Sequence, residues 1–326
     1  MGKETVAYGI KQAGGVDKLV PIETGTKLTP EPHQVILEQK AVGLNFIDIY
    51  HRTGLYPLPL PSVLGLEGAG TVIEVGSQVR SLTVGDRVAY GTALGAYANM
   101  RLIDADKVIK LPDWLDEEMA AASMLRGMTA EYLIHRTYAV QKGDYVLFHA
   151  AAGGLGQIAL QWLAMKGAQV IGVVSSDKKA KIAKSCGADH VIIGRDADLA
   201  SQVDEITKGQ KCKVVYDSVG KASFIRSLDC LAPLGMMVSF GNASGPIDPI
   251  DAKDLATRGG LFFTRPSLMN YTATRPMLEL SAKRWFQAIK DGVKVHIGQR
   301  HALSHLAQAH EKLQQGGTIG ACILLP

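Results

Sequence analysis

The chain is short of several things that would each mark a class of protein. Cysteine is scarce: Cys186, Cys212, Cys230 and Cys322 are scattered through 326 residues, with no Cys-x-x-Cys pair. That spacing excludes a disulfide framework and implies reduced thiols in a cytoplasmic setting. No apolar run reaches the ~18 residues that span a bilayer, so no membrane is expected. The opening Met1-Gly2-Lys3-Glu4-Thr5 lacks a long apolar core and does not read as a secretory signal. The net charge is only +4, which calls for no nucleic-acid partner. Internal repeats and low-complexity tracts are also missing. Hydrophobic residues make up 47%, enough for large cores, and the length suits two domains.

What is present concentrates in one stretch. The apolar run Tyr145-Val146-Leu147-Phe148 ends in the small-residue turn His149-Ala150-Ala151-Ala152-Gly153-Gly154-Leu155-Gly156. A helical pattern follows, with apolar positions at Leu155, Ile158, Ala159, Trp162 and Leu163. Strand, tight turn, helix is how a Rossmann unit holds a dinucleotide. Small residues let the backbone approach a pyrophosphate, and free N–H groups at the helix start point at it. Ala151 stands in the first glycine position, so the turn alone could also be an ordinary strand-to-helix connection. Its surroundings favour the dinucleotide. Gly167 fits a helix C′ position. The buried strand Gln169–Val174 ends at Ser175-Ser176, about 20 residues past the glycines, where a Rossmann unit meets the adenosine ribose. Hydroxyls there, with Lys178 and Lys179 following, suit a 2′-phosphate and favour NADPH over NADH. Asp177 argues the other way, and the lysines could equally be a solvated helix face.

Three textures succeed one another. Residues 1–123 are rich in short strand-like runs and turns, and read as a compact antiparallel β domain. Residues 124–265 alternate strands and helices, which predicts a doubly wound parallel sheet with ligands at the carboxyl ends of its strands. Residues 266–326 begin with a helix over Arg275–Lys290. A second helix is expected from an N-cap at Ser304 to about Gln315, and a short strand at Ile323–Leu325. This tail is expected to rejoin the first domain, leaving a cleft between that domain and an inserted cofactor domain.

The ordering resembles the medium-chain dehydrogenase/reductase superfamily. Several segments resemble one branch, the zinc-independent quinone oxidoreductases related to zeta-crystallin. They include Gly43-Leu44-Asn45-Phe46-Ile47-Asp48-Ile49-Tyr50-His51-Arg52-Thr53-Gly54-Leu55-Tyr56, Leu64-Gly65-Leu66-Glu67-Gly68-Ala69-Gly70 and Gly85-Asp86-Arg87-Val88. Gly127-Met128-Thr129-Ala130, the glycine turn, Val215-Tyr216-Asp217-Ser218-Val219-Gly220, Ser239-Phe240-Gly241-Asn242 and Thr264-Arg265-Pro266-Ser267-Leu268 complete them. The resemblance implies an α/β fold in which the Rossmann domain (124–265) is inserted in a β-rich GroES-like catalytic domain (1–123 plus 266–326). It implies that Asn45, Phe46, Ile47, Asp48 and Thr129 lie near the nicotinamide half of the cofactor. Gly153, Gly154 and Leu155 are implied to meet the pyrophosphate, and Ser175, Ser176 and Lys179 the ribose and its phosphate. Ser218, Phe240, Gly241 and Asn242, with Phe263, Thr264 and Arg265, are implied to line the far side. Two departures bear on the phosphate. Relatives often have a Tyr where this chain has Gly194, followed by Arg195, and a basic residue where it has Gly316-Gly317.

Zinc members of the superfamily use a Cys and a His where this chain has Asn45 and Leu66, and four structural cysteines that it lacks. Zinc sites need three to four closely placed N or S ligands, so no metal is expected. His301 and His305 have i,i+4 spacing, but a helix starting at Ser304 leaves His301 outside it. Without a Lewis acid, an acceptor that disperses incoming charge is favoured, such as a quinone or an activated alkene. Asn45, Asp48, Tyr50 and Tyr56 are the candidate catalytic groups. The tyrosines offer a flat wall and a hydroxyl, although packing beside the Pro57–Pro61 loop would account for them as well, and Arg52 either balances charge or faces solvent. The expected function is NADPH-dependent quinone reduction. The alternatives are reduction of α,β-unsaturated carbonyls or enoyl thioesters and, in another class, a zeta-crystallin-like structural or RNA-binding protein. A homodimer joined through the Leu261–Phe263 region is expected by analogy of fold.

Overall fold

The computed structural model describes residues 5–24, 28–194 and 198–326. The chain divides into two compact units, one formed by 1–128, 272–283 and 295–326, the other by 129–271 and 284–294.

In the first unit, the apolar residues of Gln34–Leu44 make a long central strand. It pairs antiparallel with Glu67–Val75 on one side and with Ala321–Leu325 on the other, and with Met100–Asp104 along its first half. Arg87–Tyr90 and Ile109–Lys110 extend the sheet beyond Glu67–Val75. Val35, Leu37, Val42 and Leu44 are buried against Leu64, Val72, Tyr90, Tyr97, Leu306, Leu313 and Leu324 in one apolar core. The segment 295–326 therefore completes the first unit's sheet and core, whereas 266–271 and 284–294, with part of the helix Arg275–Lys290, belong to the second unit, so the tail is shared between the two.

Three local features differ from the sequence expectation. Phe46–Thr53 is a helix inside the β-rich part. Asn45 begins it in extended conformation, and Gly54, at φ 83°, ends it in the left-handed region that suits glycine. Ile297–Ala302 is a strand parallel to Ala321–Leu325. Its sequence, Ile-Gly-Gln-Arg-His-Ala, has little apolar content to announce a strand. Ser304 is not an N-cap: Leu303–His305 forms a 3-10 turn, and the helix proper is Leu306–Gln314 with His305 at its cap.

The second unit is a six-stranded sheet in the order His190–Ile193, Gln169–Val174, Tyr145–His149, Cys212–Asp217, Leu231–Ser239, Phe262–Thr264, with every pair parallel. Numbered along the unit, this is 3-2-1-4-5-6, the doubly wound order that opens a crevice where the strand order reverses. The helix Gly154–Met165 follows the first strand and ends before Gly167, whose φ is 75°. Parallel strands are covered on both faces, so they read as near-continuous apolar runs; Val170, Ile171, Val214, Val215, Met237 and Val238 are all buried.

Candidate active site

The crevice end of the second unit is built from backbone and small side chains. The turn after Tyr145–His149 passes through Ala150 at φ 54° and reaches Gly153, which caps the helix Gly154–Met165 without any side-chain bond of its own. Its first N–H groups, at Gly154 and Leu155, stand in the first turn, where N–H groups have no intrahelical partner, an arrangement that suits an anion. A Cβ on Gly156 would lie 2.5 Å from the carbonyl oxygens of Ala150 and Ala151, so only glycine lets helix and turn approach this closely. Ala151, in place of the usual first glycine, is fully buried. The neighbouring strand makes room for it: a Cβ on Gly172 would meet the Ala151 Cβ at 3.0 Å.

The next strand ends at Ser175 and Ser176. Ser176 caps the helix Asp177–Ser185 by accepting from Lys179 N–H, so its hydroxyl is already engaged in the fold. Ser175 Oγ accepts from Lys179 Nζ at 3.1 Å, which places ammonium and hydroxyl together where an anion can meet both. Gly194 closes the third strand, its N–H on Val174 O at 2.9 Å; Arg195 lies outside the described residues.

A buried polar cluster holds the turn after the fourth strand. Asp217 Oδ1 accepts from the N–H groups of Val219 and Gly220 at 2.7 and 3.2 Å. Its Oδ2 accepts from Ser223 Oγ at 2.6 Å and Ser227 Oγ at 2.9 Å. His149 Nε2 lies 2.9 Å from Ser227 Oγ, so the first and fourth strand ends are tied together. Burial lowers the pKa of His149. Beyond this cluster, a Cβ on Gly241 would meet Ser218 O at 2.5 Å, which fixes glycine there. Phe240 packs on Phe148 with centroids 5.8 Å apart, and Phe263 meets Phe224 edge-on at 5.5 Å. Arg265 Nη1 donates to Ser239 O at 2.8 Å, and Thr264 pairs with Val238. Gly153 to Leu155, Ser175, Ser176, Lys179, Ser218, Phe240 to Asn242 and Phe263 to Arg265 therefore all stand at the carboxyl end of this one sheet. Thr129 is buried on the helix Met124–Tyr132.

The first unit carries a different kind of site, made from side chains. Asn45 Nδ2 donates to Glu67 Oε2 at 2.8 Å. Glu67 is fully buried; its Oε1 accepts from Leu125 N–H at 2.7 Å, and Arg126 Nη1 lies 3.3 Å from its Oε2. Burial raises the Glu67 pKa, against the opposing effect of Arg126. Gly43 is what admits this carboxylate, since a Cβ there would lie 2.2 Å from Glu67 Oε2. Asp48 Oδ2 accepts from Asn45 N–H at 2.8 Å and from Tyr97 Oη at 2.9 Å, while Oδ1 has no protein partner. Complete burial pushes the Asp48 carboxyl up to about 7. Tyr97 Oη lies 2.9 Å from His310 Nε2, and Arg52 Nη1 lies 3.4 Å from His310 Nδ1. Arg52 is only 1% exposed and donates to Gln314 Oε1 at 2.6 Å and Gly14 O at 3.3 Å, so it serves the interior and does not face solvent. Burial and the Arg52 charge push His310 down to about 3.

Beside this network Tyr50 and Tyr56 meet edge to face with centroids 5.2 Å apart, and Phe46 lies 6.3 Å from Tyr50. Ile47 is half-buried on the same helix. His51, 6.2 Å from Tyr56, is buried with its Nδ1 unbonded. The donor set at the positions of a catalytic zinc does not suit the metal: the Asn45 amide is committed to Glu67, and Leu66 is a buried apolar side chain. Among the described residues no cluster of three or more His, Cys, Asp or Glu could hold an ion. His301 lies on the strand Ile297–Ala302 and His305 in the 3-10 turn, so they do not share a helix face.

Family models match both parts of this architecture. Residues 31–113 match an alcohol dehydrogenase GroES-like domain and residues 154–283 a zinc-binding dehydrogenase model. A quinone oxidoreductase of Pseudomonas aeruginosa is 48% identical over 91% of this chain and 92% of its own length. The crystal structure of Escherichia coli quinone oxidoreductase complexed with NADPH superposes with a TM-score of 0.96, at 44% identity, over 98% of this chain and 100% of that one. The chain belongs to the medium-chain dehydrogenase/reductase superfamily, in its quinone oxidoreductase branch. A 2-haloacrylate reductase of Burkholderia is also similar, 45% identical over 98% of this chain and 99% of its own. Sequence reasoning names Gly153 to Leu155, Ser175, Ser176, Lys179, Ser218, Phe240 to Asn242 and Phe263 to Arg265 at these turns and strand ends, and assigns no role to the Asp217, Ser223, Ser227 and His149 cluster. Glu67, Tyr97, His51 and His310 were not assigned roles by it. Glu67 carried a signal, a lone acid in an apolar and glycine-rich segment; Tyr97 and His310 carried none, because their partners are far away in sequence.

Proposed function

We propose that the chain is an NADPH-dependent quinone oxidoreductase that works without zinc. The observation that carries the reading is the pairing of two features: a glycine-turn crevice with Ser175 and Lys179 at its ribose end, and an Asn45 amide held by Glu67 where a metal ligand would otherwise stand. The cofactor supplies a hydride when bound. Gly153, Gly154 and Leu155 offer N–H groups to its pyrophosphate. Ser175 and Lys179 distinguish the 2′-phosphate from a free hydroxyl, because an ammonium pairs with a phosphate and not with an alcohol. Ser176 supports them as the helix cap. Phe240, Gly241, Asn242, Phe263, Thr264 and Arg265 complete the cofactor wall, with Ser218 and Thr129. Asn45, Phe46, Ile47 and Asp48 address the nicotinamide, and Tyr50 and Tyr56 a flat acceptor. The reading requires these residues of the first unit to meet the cofactor held by the second, with the quinone in the cleft so formed. A quinone spreads the incoming charge over a conjugated ring, so positioning suffices where an alcohol–ketone pair would need a Lewis acid.

A second reading, reduction of an activated alkene, is favoured by the similarity to the 2-haloacrylate reductase. Two further expectations belong to the proposal. The chain acts in the cytoplasm, in keeping with the absence of any helix long and apolar enough to cross a membrane among the described residues. It forms a homodimer through the edge strand Phe262–Thr264, where Phe262 is 56% exposed. The deciding experiment follows NADPH consumption by the purified protein with a para-quinone, a short enone, 2-haloacrylate and an enoyl thioester. Fastest turnover with the quinone supports the first reading, and fastest turnover with an alkene the second. Neither binding nor oxidation of NADPH would remove both.

A further inference from the structure

Two turns border the crevice of the second unit, 150–153 after the first strand and 218–220 after the fourth, and one side-chain cluster stands at the root of both. His149 is the residue before Ala150, and Asp217 the residue before Ser218. Both are buried, at 4% and 0% exposure, as is the Ser227 that joins them. The polarity of the cluster follows from its protons. A carboxylate only accepts, so Ser227 gives its one hydroxyl proton to Asp217 Oδ2 at 2.9 Å. His149 Nε2, 2.9 Å from the same hydroxyl oxygen, must then donate to it. Ser223 Oγ donates to Oδ2 as well, and the N–H groups of Val219 and Gly220 fill Oδ1. The residue after His149 is strained. Ala150 holds φ 54°, in the left-handed region that alanine avoids, and such a residue persists where its surroundings over-determine it. Its position matters, because Ala150 O accepts from Gly153 N–H at 2.9 Å and Gly153 caps the helix Gly154–Met165.

We infer that His149, tied through Ser227 to Asp217, is a positioning residue for the dinucleotide: it holds the left-handed backbone at Ala150 and so aims the N–H groups of Gly154 and Leu155 at the pyrophosphate. The inference rests on the NADPH reading above. The strained residue is anchored on both sides. The His149 side chain is bound to Ser227, and Ala151 N–H donates to Val173 O at 3.1 Å. Without the first anchor, the preference of alanine for negative φ is free to rotate the turn, and Ala150 O, on which Gly153 N–H depends, moves with it. Asp217 adds a second effect. It takes two N–H groups of the turn 218–220 that would otherwise be open to an anion, which leaves the start of the helix Gly154–Met165 as the place for the negative charge. Ser175 and Lys179 belong to the next strand end and helix and lie outside this line, so the line sets how tightly a nucleotide is held and not which nucleotide. Gain of a proton has no part in the role: burial lowers the His149 pKa, and Nε2 carries its hydrogen in either state.

Fluorescence titration of the purified protein with NADPH, and separately with NADH, tests this. His149→Leu removes the donor and should weaken both nucleotides by about 10-fold, with their ratio kept and with kcat for NADPH and a para-quinone unchanged at saturation. His149→Gln carries an amide donor with the reach of Nε2 and should restore most of the affinity. Ser227→Ala should act in the same direction and less, since His149 Nε2 stands 3.9 Å from Asp217 Oδ2 and can close that gap. Ala150→Gly is the variant that isolates the mechanism. Glycine takes positive φ without penalty, so in the His149→Leu background it should recover most of the loss, whereas in wild type it should change little. In the cofactor-free protein, amide hydrogen exchange at Gly153 should quicken in His149→Leu while the central strands keep their protection. A His149→Leu protein with wild-type affinity overturns the inference. So does one whose loss Ala150→Gly leaves in place, because that marks a general loss of packing. If His149→Leu does not fold, Ser227→Ala with and without Ala150→Gly carries the same comparison. A wild type that binds neither nucleotide overturns the NADPH reading instead, and exchange at Gly153 still decides whether His149 holds the turn.

Discussion

The candidate regions of the two units are built from opposite materials. The crevice of the second unit is backbone: a helix start, close glycines and strand ends, with few side chains committed to it. The network of the first unit is side chain: Asn45, Asp48, Glu67, Tyr97 and His310 joined through hydrogen bonds across long sequence separations. A backbone site tolerates little change in shape but needs few particular polar groups. A side-chain site depends on each partner's polarity and is vulnerable to loss of any one.

The largest effect should come from shape. Gly156→Val drives a side chain into two carbonyls that a Cβ alone would approach to 2.5 Å, so NADPH affinity, measured by fluorescence, should fall at least ~100-fold or folding should fail. An affinity unchanged by this substitution would break the backbone side of the comparison.

Next comes polarity. Glu67→Ala leaves Arg126 buried without its ion pair, and about 3–5 kcal/mol of unfolding free energy should be lost. Denaturant titration checks it, and a loss below about 1 kcal/mol would mean that the pair is not desolvated as the structure implies. Gly172→Ala should cost about 1–3 kcal/mol by crowding Ala151. Ala151→Gly in the same chain should recover most of that, because the two Cβ atoms compete for one space.

How far the sequence disclosed all this follows the same division. The parallel sheet, the glycine turn and the helix C′ at Gly167 are legible, since each rests on patterns within continuous segments; the strand order is not, because it joins segments far apart in the chain. The helix Phe46–Thr53 was hidden by its setting among strands, although Asn45, Asp48 and Gly54 hold the positions of cap residues. The strand Ile297–Ala302 has half-exposed polar residues and is made by its neighbour Ala321–Leu325. The Asp48–Tyr97–His310 line joins three distant segments, and no local pattern encodes it. Of the two readings of Arg52, charge balance or a solvent-facing side chain, the structure removes the second, and the sequence could not choose because its partners, Gly14 and Gln314, come from opposite ends of the chain.

Stability against pH sharpens the comparison further. Asp48 has a raised pKa, so its contribution is present in acid and is lost as pH rises through about 7. His310 is depressed to about 3, so its contribution is present above the ordinary histidine range and is lost as pH falls toward that value. Between the ordinary carboxylate and ordinary histidine ranges the two contributions oppose each other, so melting temperature should change little there, and Asp48→Asn should leave a melting temperature that rises with pH up to the histidine range. The same change of profile from a substitution in the second unit, such as Lys179→Ala, would dissolve the distinction. The smallest effect is expected from Lys179→Ala itself: about 10-fold weaker NADPH binding with NADH unchanged, measured as the ratio of the two affinities, since one exposed ammonium contributes modestly.

The central claim is quinone reduction by NADPH without a metal, and the direct measurement is quinone-dependent NADPH oxidation by the purified protein before and after exhaustive chelation. Turnover with a para-quinone should be left unchanged by chelation. Activity abolished by the chelator and restored by zinc would contradict it.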